Sequence, residues 1–143
     1  MVAAAAYGLD GQASAVMTLT AEIVAVKRVP ANVGVSYGYT YRTTEPTTLA
    51  LVALGYADGV PRVASNRASV LVSGVLRSLV GRIAMDQFIV DCGAVTPCVG
   101  DDAVLFGSAS GGAPTALDWA RDTERSPIQL TAGLGSRVFR AYS

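Results

Sequence analysis

ASVLVSGVLRSLVGRIAMD, residues 68–86, decides how the rest of the chain is read. Valine- and leucine-rich runs stand on both sides of Ser73-Gly74. Glycine accepts positive φ without a steric penalty, so a two-residue link of this kind turns the chain back on itself and predicts a β-hairpin. Outward from the hairpin the same grain persists. TLTAEIVAVKRV (18–29) sets Leu19, Ala21, Ile23 and Ala25 against Thr20, Glu22 and Val24, and then the alternation shifts, as in a half-buried strand. TLALVALGY (48–56) is a continuous apolar run and predicts a strand buried on both faces. QFIVDCG (87–93) and DAVLFG (102–107) read as further strands, separated by the turn-rich TPCVGD. LGSRVFRAY (134–142) alternates Val138 and Phe139 with Arg137 and Arg140, which predicts a closing strand.

One helix is predicted. It follows the GSASGGAP loop (107–114), with Thr115 as cap and Asp118 at the capping-box position, where an aspartate replaces the usual glutamate or glutamine. Leu117 and Trp119 are expected to face inward, and the helix to end near Arg125, ahead of Pro127. Many short strands, glycine-marked turns and one late α-helix make the fold class mostly β, an antiparallel β-barrel or sandwich-like domain.

Composition narrows function by exclusion. The 143 residues suit one domain, and 51% hydrophobic against 15% charged residues excludes a solvated, disordered chain. Net charge is zero and the arginines are scattered, so neither nucleic acid nor an anionic membrane is an expected partner. No apolar run approaches the roughly 18 residues needed to span a membrane. The opening MVAAAAYGLDG lacks the basic segment of a secretion signal and reads as the end of something upstream. Histidine is absent, so the usual acid–base residue near neutral pH is missing. His-ligated metals and Ser-His or Cys-His pairs are likewise excluded within this chain, and no metal site is expected. Lys27 is the only lysine and reads as a solvent-facing strand residue in VAVKRV. Cys92 and Cys98 are not in a C-x-x-C arrangement; they read as bystander thiols of a reducing, cytoplasmic compartment.

VSYGYTY (35–41) places three tyrosines within five residues. On residues alone Tyr37 reads as a packed strand tyrosine, although Gly38 beside it would let backbone and ligand come close to the phenol. Tyr39 and Tyr41 read as strand residues, one packing inward and the other at the surface.

Four stretches, AYGLDG (6–11) ahead of MTLTAEIVAVKRVP (17–30), VSYGYTY (35–41), LGYADGVPR (54–62) and LVGRIAMDQ (79–87), occur in this order and spacing. Together they resemble the C-terminal domain of alanine racemase, a family of pyridoxal-phosphate-dependent amino-acid racemases, over Ala6 to Tyr142. The resemblance implies a two-domain enzyme that interconverts L- and D-alanine and so supplies D-alanine for peptidoglycan. In it an N-terminal barrel holds pyridoxal phosphate on a lysine, and the C-terminal β domain completes the active site of a second subunit in a homodimer. It further implies that residues 1–12 are the tail of the last strand of that barrel and 13–143 the β domain. Tyr37 matches the tyrosine that acts as one of two proton-transferring bases, the cofactor lysine being the other. Racemisation needs one base on each face of the substrate's α-carbon, and a phenol, ordinarily near pKa 10, serves if neighbouring cations assist it. Met85 matches a residue whose backbone N–H helps hold the substrate carboxylate, core packing being its alternative. Tyr56 and Asp86 match residues of the substrate entrance, whereas Asp58 and Arg82 are expected to be structural.

Three departures accompany the match. No lysine stands in a cofactor context, so this chain alone is expected to bind no pyridoxal phosphate and to be inactive. The chain opens close to the expected domain junction, as a fragment would. The tyrosine of a tyrosine–glutamate pair that reaches the cofactor phosphate falls at Ile128, and the glutamate at Gln129; isoleucine cannot donate a hydrogen bond. Either the match slips there or one cofactor contact is lost. The alternative function is therefore a degenerate, non-catalytic homologue serving as an assembly or binding module.

Overall fold

The computed structural model describes residues 15–142, so the expected tail at residues 1–12 lies outside the described residues. Six strands close into an antiparallel barrel: β1 (Leu19–Val29), β4 (Thr47–Val52), β5 (Ser69–Val72), β6 (Val75–Val80), β7 (Phe88–Gly93) and β8 (Asp102–Phe106). Around the barrel the order is β1-β4-β7-β6-β5-β8. Two further strands, β2 (Gly34–Val35) and β3 (Tyr41–Arg42), pair only with each other. The barrel resolves the choice between barrel and sandwich.

The hairpin forms where residues 68–86 predict it. β5 and β6 pair from Val72–Val75 outward, and Ser73 and Gly74 take the positive φ values, 50° and 75°, of a two-residue turn. β1 shows why its alternation breaks. Leu19, Ala21 and Ile23 face the core, but the register shifts between Ile23 and Ala25. This bulge turns Ala25 out to solvent and brings Val26 against the core instead, correcting the inward placement of Ala25. Along β4 and β7, Ala50, Val52 and Val90 are fully buried, while Leu51 and Ile89 face outward and are only half covered.

Two α-helices close the described chain where one was predicted. Helix α1 (Ala116–Thr123) has the Thr115 cap and the Asp118 box: Thr115 Oγ1 accepts from Asp118 N at 3.1 Å and Asp118 Oδ2 accepts from Thr115 N at 2.8 Å. The helical period buries Ala116, Trp119, Ala120 and Thr123, and Leu117 falls on the flank at 48% exposure rather than inward. Trp119 packs edge-on against Phe106 with centroids 6.3 Å apart, and its indole N–H donates to Ser69 O at 3.1 Å. Glu124 ends α1 in the left-handed conformation. Pro127 does more than stop this helix, because it begins α2 (Pro127–Ala132) at a first-turn position that has no N–H to lose.

The closing strand at 134–142 does not form. The β1–β8 pairing already shuts the barrel, so no free edge remains for another strand. Leu134 and Val138 still pack on the core, but Phe139 and Tyr142 are about nine-tenths exposed.

Two connections leave the same end of the barrel and face each other: residues 53–68 after β4 and 81–87 before β7. The connection from β1 to β4 leaves the opposite end. It folds back along the outer face of β4 and β7, where Tyr41 reaches Asp91 and Ser36 reaches the carbonyl of Arg82. Three stretches remote in sequence thus meet outside the barrel wall.

Candidate functional site

VSYGYTY is an excursion rather than a strand. Tyr37–Tyr39 form a single 3₁₀ turn between β2 and β3, with Gly38 at φ 70° inside it. The turn projects Tyr37, which is 69% exposed and therefore not a packed core tyrosine. Tyr39 also faces solvent, while Tyr41 is the one that turns inward, donating from its hydroxyl to Asp91 Oδ2 at 2.7 Å. Asp91 gathers Tyr41, the Thr47 hydroxyl and the N–H of Gly93. Burial works to raise the Asp91 carboxyl, but these hydrogen bonds and nearby Arg77 outweigh it and hold it below its ordinary value. Burial and then the Asp91 contact push the Tyr41 phenol up to about 12.

Facing the excursion, the 53–58 and 81–87 connections are laced together through the backbone. Tyr56 N donates to Ala84 O at 3.1 Å, Ala57 N to Met85 O at 3.0 Å, and Ala84 N to Gln87 O at 2.9 Å. Gly55 is required by the closeness of this approach: a Cβ there would stand 2.3 Å from Met85 O. Asp58, 6% exposed, holds the turn from within, accepting from Gly55 N at 2.9 Å and from Arg137 Nε at 2.9 Å. This is the structural part expected of it. Both carbonyls flanking the Ala84–Met85 peptide are engaged, whereas the Met85 N–H has no acceptor among the described residues. The Met85 side chain is 54% exposed, so core packing does not account for it.

These elements border two adjoining hollows of about 250 Å³ each, which share Tyr37, Arg82 and Ala84. The structure brings Tyr37, Tyr56 and Met85 together in one of them. Asp86 does not line either; its carboxylate is taken by Arg137 Nη2 at 2.7 Å. Two arginines join the hollow: Arg62, which sequence reasoning passed over, and Arg82, which it expected to be structural. Arg62 lines it with its guanidinium 5.3 Å from the Tyr56 ring centre, and Arg82 lines both hollows with no carboxylate partner among the described residues. The structural part assigned to Arg82 belongs to its carbonyl, which accepts from the Ser36 hydroxyl at 2.6 Å; its guanidinium faces the hollow. The signal was present in the spacing, since both arginines sit within the two segments that meet. Lys27 is exposed on β1 and borders neither hollow. Ile128 is half exposed on α2, and Gln129 serves as that helix's capping-box residue, its Oε1 accepting from Ser126 N at 3.1 Å.

Residues 16–142 match the family described as "Alanine racemase, C-terminal domain". This chain belongs to that family. It is 53% identical over 127 residues to the alanine racemase of Streptomyces coelicolor, covering 89% of this chain and 32% of that protein. Against the alanine racemase of Thermobifida fusca identity is 50%, over 89% of this chain and 34% of the relative. The chain thus spans about a third of the length of the curated relatives it matches. Among solved structures, the Streptomyces coelicolor alanine racemase superposes with a TM-score of 0.87 at 51% identity, over 90% of this chain and 34% of that one. The Bartonella henselae alanine racemase, described with covalently bound pyridoxal phosphate, gives 0.87 at 32% identity, over 97% and 40%. The closed antiparallel barrel is accordingly the family's C-terminal fold.

Proposed function

We propose that this chain is the C-terminal domain of an enzyme that interconverts L- and D-alanine, and that Tyr37 is one of its two proton-transferring groups. The observation that carries this reading is the meeting of an exposed phenol, two guanidinium groups and an unengaged backbone N–H at one hollow. The phenol supplies a proton donor and acceptor for one face of the substrate's α-carbon. Arg62 and Arg82 draw a carboxylate toward the hollow, and the Met85 N–H donates to it. Tyr56 narrows the approach, and Asp86, next to Met85, is tied to Arg137.

Pyridoxal phosphate, when bound, supplies the electron sink that makes the α-proton removable. The donor set here suits the substrate side of that group and not its attachment, because no amine among the described residues borders the hollow. The attaching lysine, which is also the second base, is then contributed by an N-terminal barrel domain, with this domain completing the site of a second subunit in a homodimer. Unpaired Cys92 and Cys98 suit the cytoplasm, and no described helix is long and apolar enough to cross a membrane.

The test is reconstitution. Fused behind the N-terminal domain of an alanine racemase, the chain should convert L- to D-alanine in a circular-dichroism or coupled assay, and Tyr37→Phe should lower the conversion by about 10²-fold or more. The chain alone, incubated with pyridoxal phosphate and then dialysed against cofactor-free buffer, should retain no cofactor absorbance; a retained band refutes the division of labour. Ile128 and Gln129 favour a second reading, a non-catalytic assembly module, since isoleucine has no side-chain donor for a phosphate and Gln129 Oε1 caps its own helix. An inert but correctly dimeric fusion supports the module.

A further inference from the structure

Ser36, the residue immediately before Tyr37, has φ 60° and ψ −167°. This region of backbone space belongs almost entirely to glycine, because a Cβ collides with the flanking peptide. A serine persists there only when its surroundings hold it more firmly than the strain pushes back. Five contacts do so. Its hydroxyl donates to Arg82 O at 2.6 Å. Its Cβ lies so close to Gly81 that a Cβ on that glycine would come within 2.9 Å of it. Asn66 ties the far end of the same turn, donating from Nδ2 to Thr40 Oγ1 at 3.1 Å while its Oδ1 accepts from Gly81 N at 2.6 Å. The Tyr41–Asp91 bond secures the exit strand. The strained residue, the exposed phenol and the arginine of the hollow are therefore one mechanical unit.

We propose that Ser36 is the positioning residue for Tyr37: its hydroxyl locks a glycine-like backbone to the carbonyl of Arg82, which aims the phenol into the hollow at a fixed place relative to the Arg82 guanidinium. This rests on the reading of Tyr37 as a proton-transferring group. Strain of this kind separates activity from stability. Replacing Ser36 with glycine relieves the backbone and removes the lock together, so the fold is no worse off while the phenol loses its aim. Replacing it with alanine keeps the strain and removes only the lock, so both suffer.

The experiment uses the assembled racemase, this chain joined to an N-terminal barrel domain with pyridoxal phosphate bound. Ser36→Gly should lower kcat by roughly 10- to 100-fold, as a displaced reacting group does, with KM for alanine nearly unchanged. Its Tm should stay level or rise by up to about 4 °C, and the isotope effect on α-deuterated alanine should grow in the direction in which Tyr37 is the base. Ser36→Ala should lower both kcat and Tm, and Ser36→Thr, which keeps the hydroxyl, should restore part of kcat relative to alanine. Undiminished kcat in Ser36→Gly, or a loss that merely tracks a fall in Tm with the isotope effect unchanged, overturns the proposal. Failure of the unmutated assembly to racemise alanine overturns the functional reading itself, so the two failures are distinguishable.

Discussion

The β5–β6 hairpin and the Ser36–Tyr39 turn are both tight reversals built on glycine, yet they differ in almost every physical respect. In the hairpin, turn chemistry, alternation and burial agree: Ser73 and Gly74 take the φ values their flanking strands demand, and Val70, Val72, Leu79 and Val80 enter the core. In the tyrosine turn they conflict. Ser73 also carries positive φ, but Ser36 combines φ 60° with ψ −167°, a region that belongs to glycine, the bulky Tyr39 has positive φ too, and two large tyrosines stand more than 60% exposed. Natural sequences are locally consistent where only folding is at stake and depart from consistency where a site must be presented. The barrel wall is therefore expected to respond to mutation in stability, and the excursion in chemistry.

That contrast is broken or sharpened by a graded series. The largest effect should come from Tyr37→Phe, which removes one hydroxyl from an exposed ring: kcat/KM of the assembled enzyme should drop by about 10²- to 10⁴-fold while the denaturation midpoint stays put. A matching loss of stability would erase the distinction between the regions. Trp119→Ala is the mirror experiment on the wall side. It empties a site 1% exposed and deprives Ser69 O of its donor, so urea melts should show a loss of about 3–5 kcal/mol. Gly55→Ala lies between the two. Its Cβ meets the backbone of Met85 rather than a flexible side chain, so it should cost about 1–3 kcal/mol and raise KM for alanine by moving the Met85 N–H.

The smallest effect belongs to Tyr41→Phe, where the excursion is fastened to the wall. Losing the bond to Asp91 should cost about 0.5–1.5 kcal/mol. Its signature is in the pH dependence. Asp91 is held below its ordinary value in the folded chain, so its contribution is present above the unfolded carboxyl's titration near pH 4 and is lost as pH falls through the lower folded value. Tyr41 is held up at about 12, so its contribution is complete below roughly pH 10 and disappears as pH rises toward 12. Thermal melts of Tyr41→Phe across pH should show the alkaline limb flattened and the acid limb weakened. Unchanged limbs would mean that the excursion is not fastened there.

How far the sequence could be read depended on how local the deciding physics was. The hairpin, the Thr115–Asp118 box and the strand at 87–93 rest on neighbours within four residues, and the structure has them as predicted. The second helix was missed although Ser126, Pro127 and Gln129 spell its start, because proline was read as a stop alone. The tail at 134–142 has good strand alternation but no partner, and pairing is a property of the closed barrel, not of the segment. Arg62 was passed over and Arg82 taken as structural for the same reason: each is an ordinary surface arginine until two connections meet.

By itself, then, the sequence determined the β character, the hairpin, the first helix cap and, through its motif order, the candidate residues Tyr37, Tyr56 and Met85. Those follow from short-range sterics and hydrogen bonding, which act within a few residues. Only the tertiary structure decided that the barrel closes, that residues 35–41 bend into a strained excursion, and that Asp86 is spent on Arg137 while Arg82 is left facing the hollow. These depend on which segments lie side by side, and that is set by burying the strands' apolar faces in one core, a sum over the whole chain.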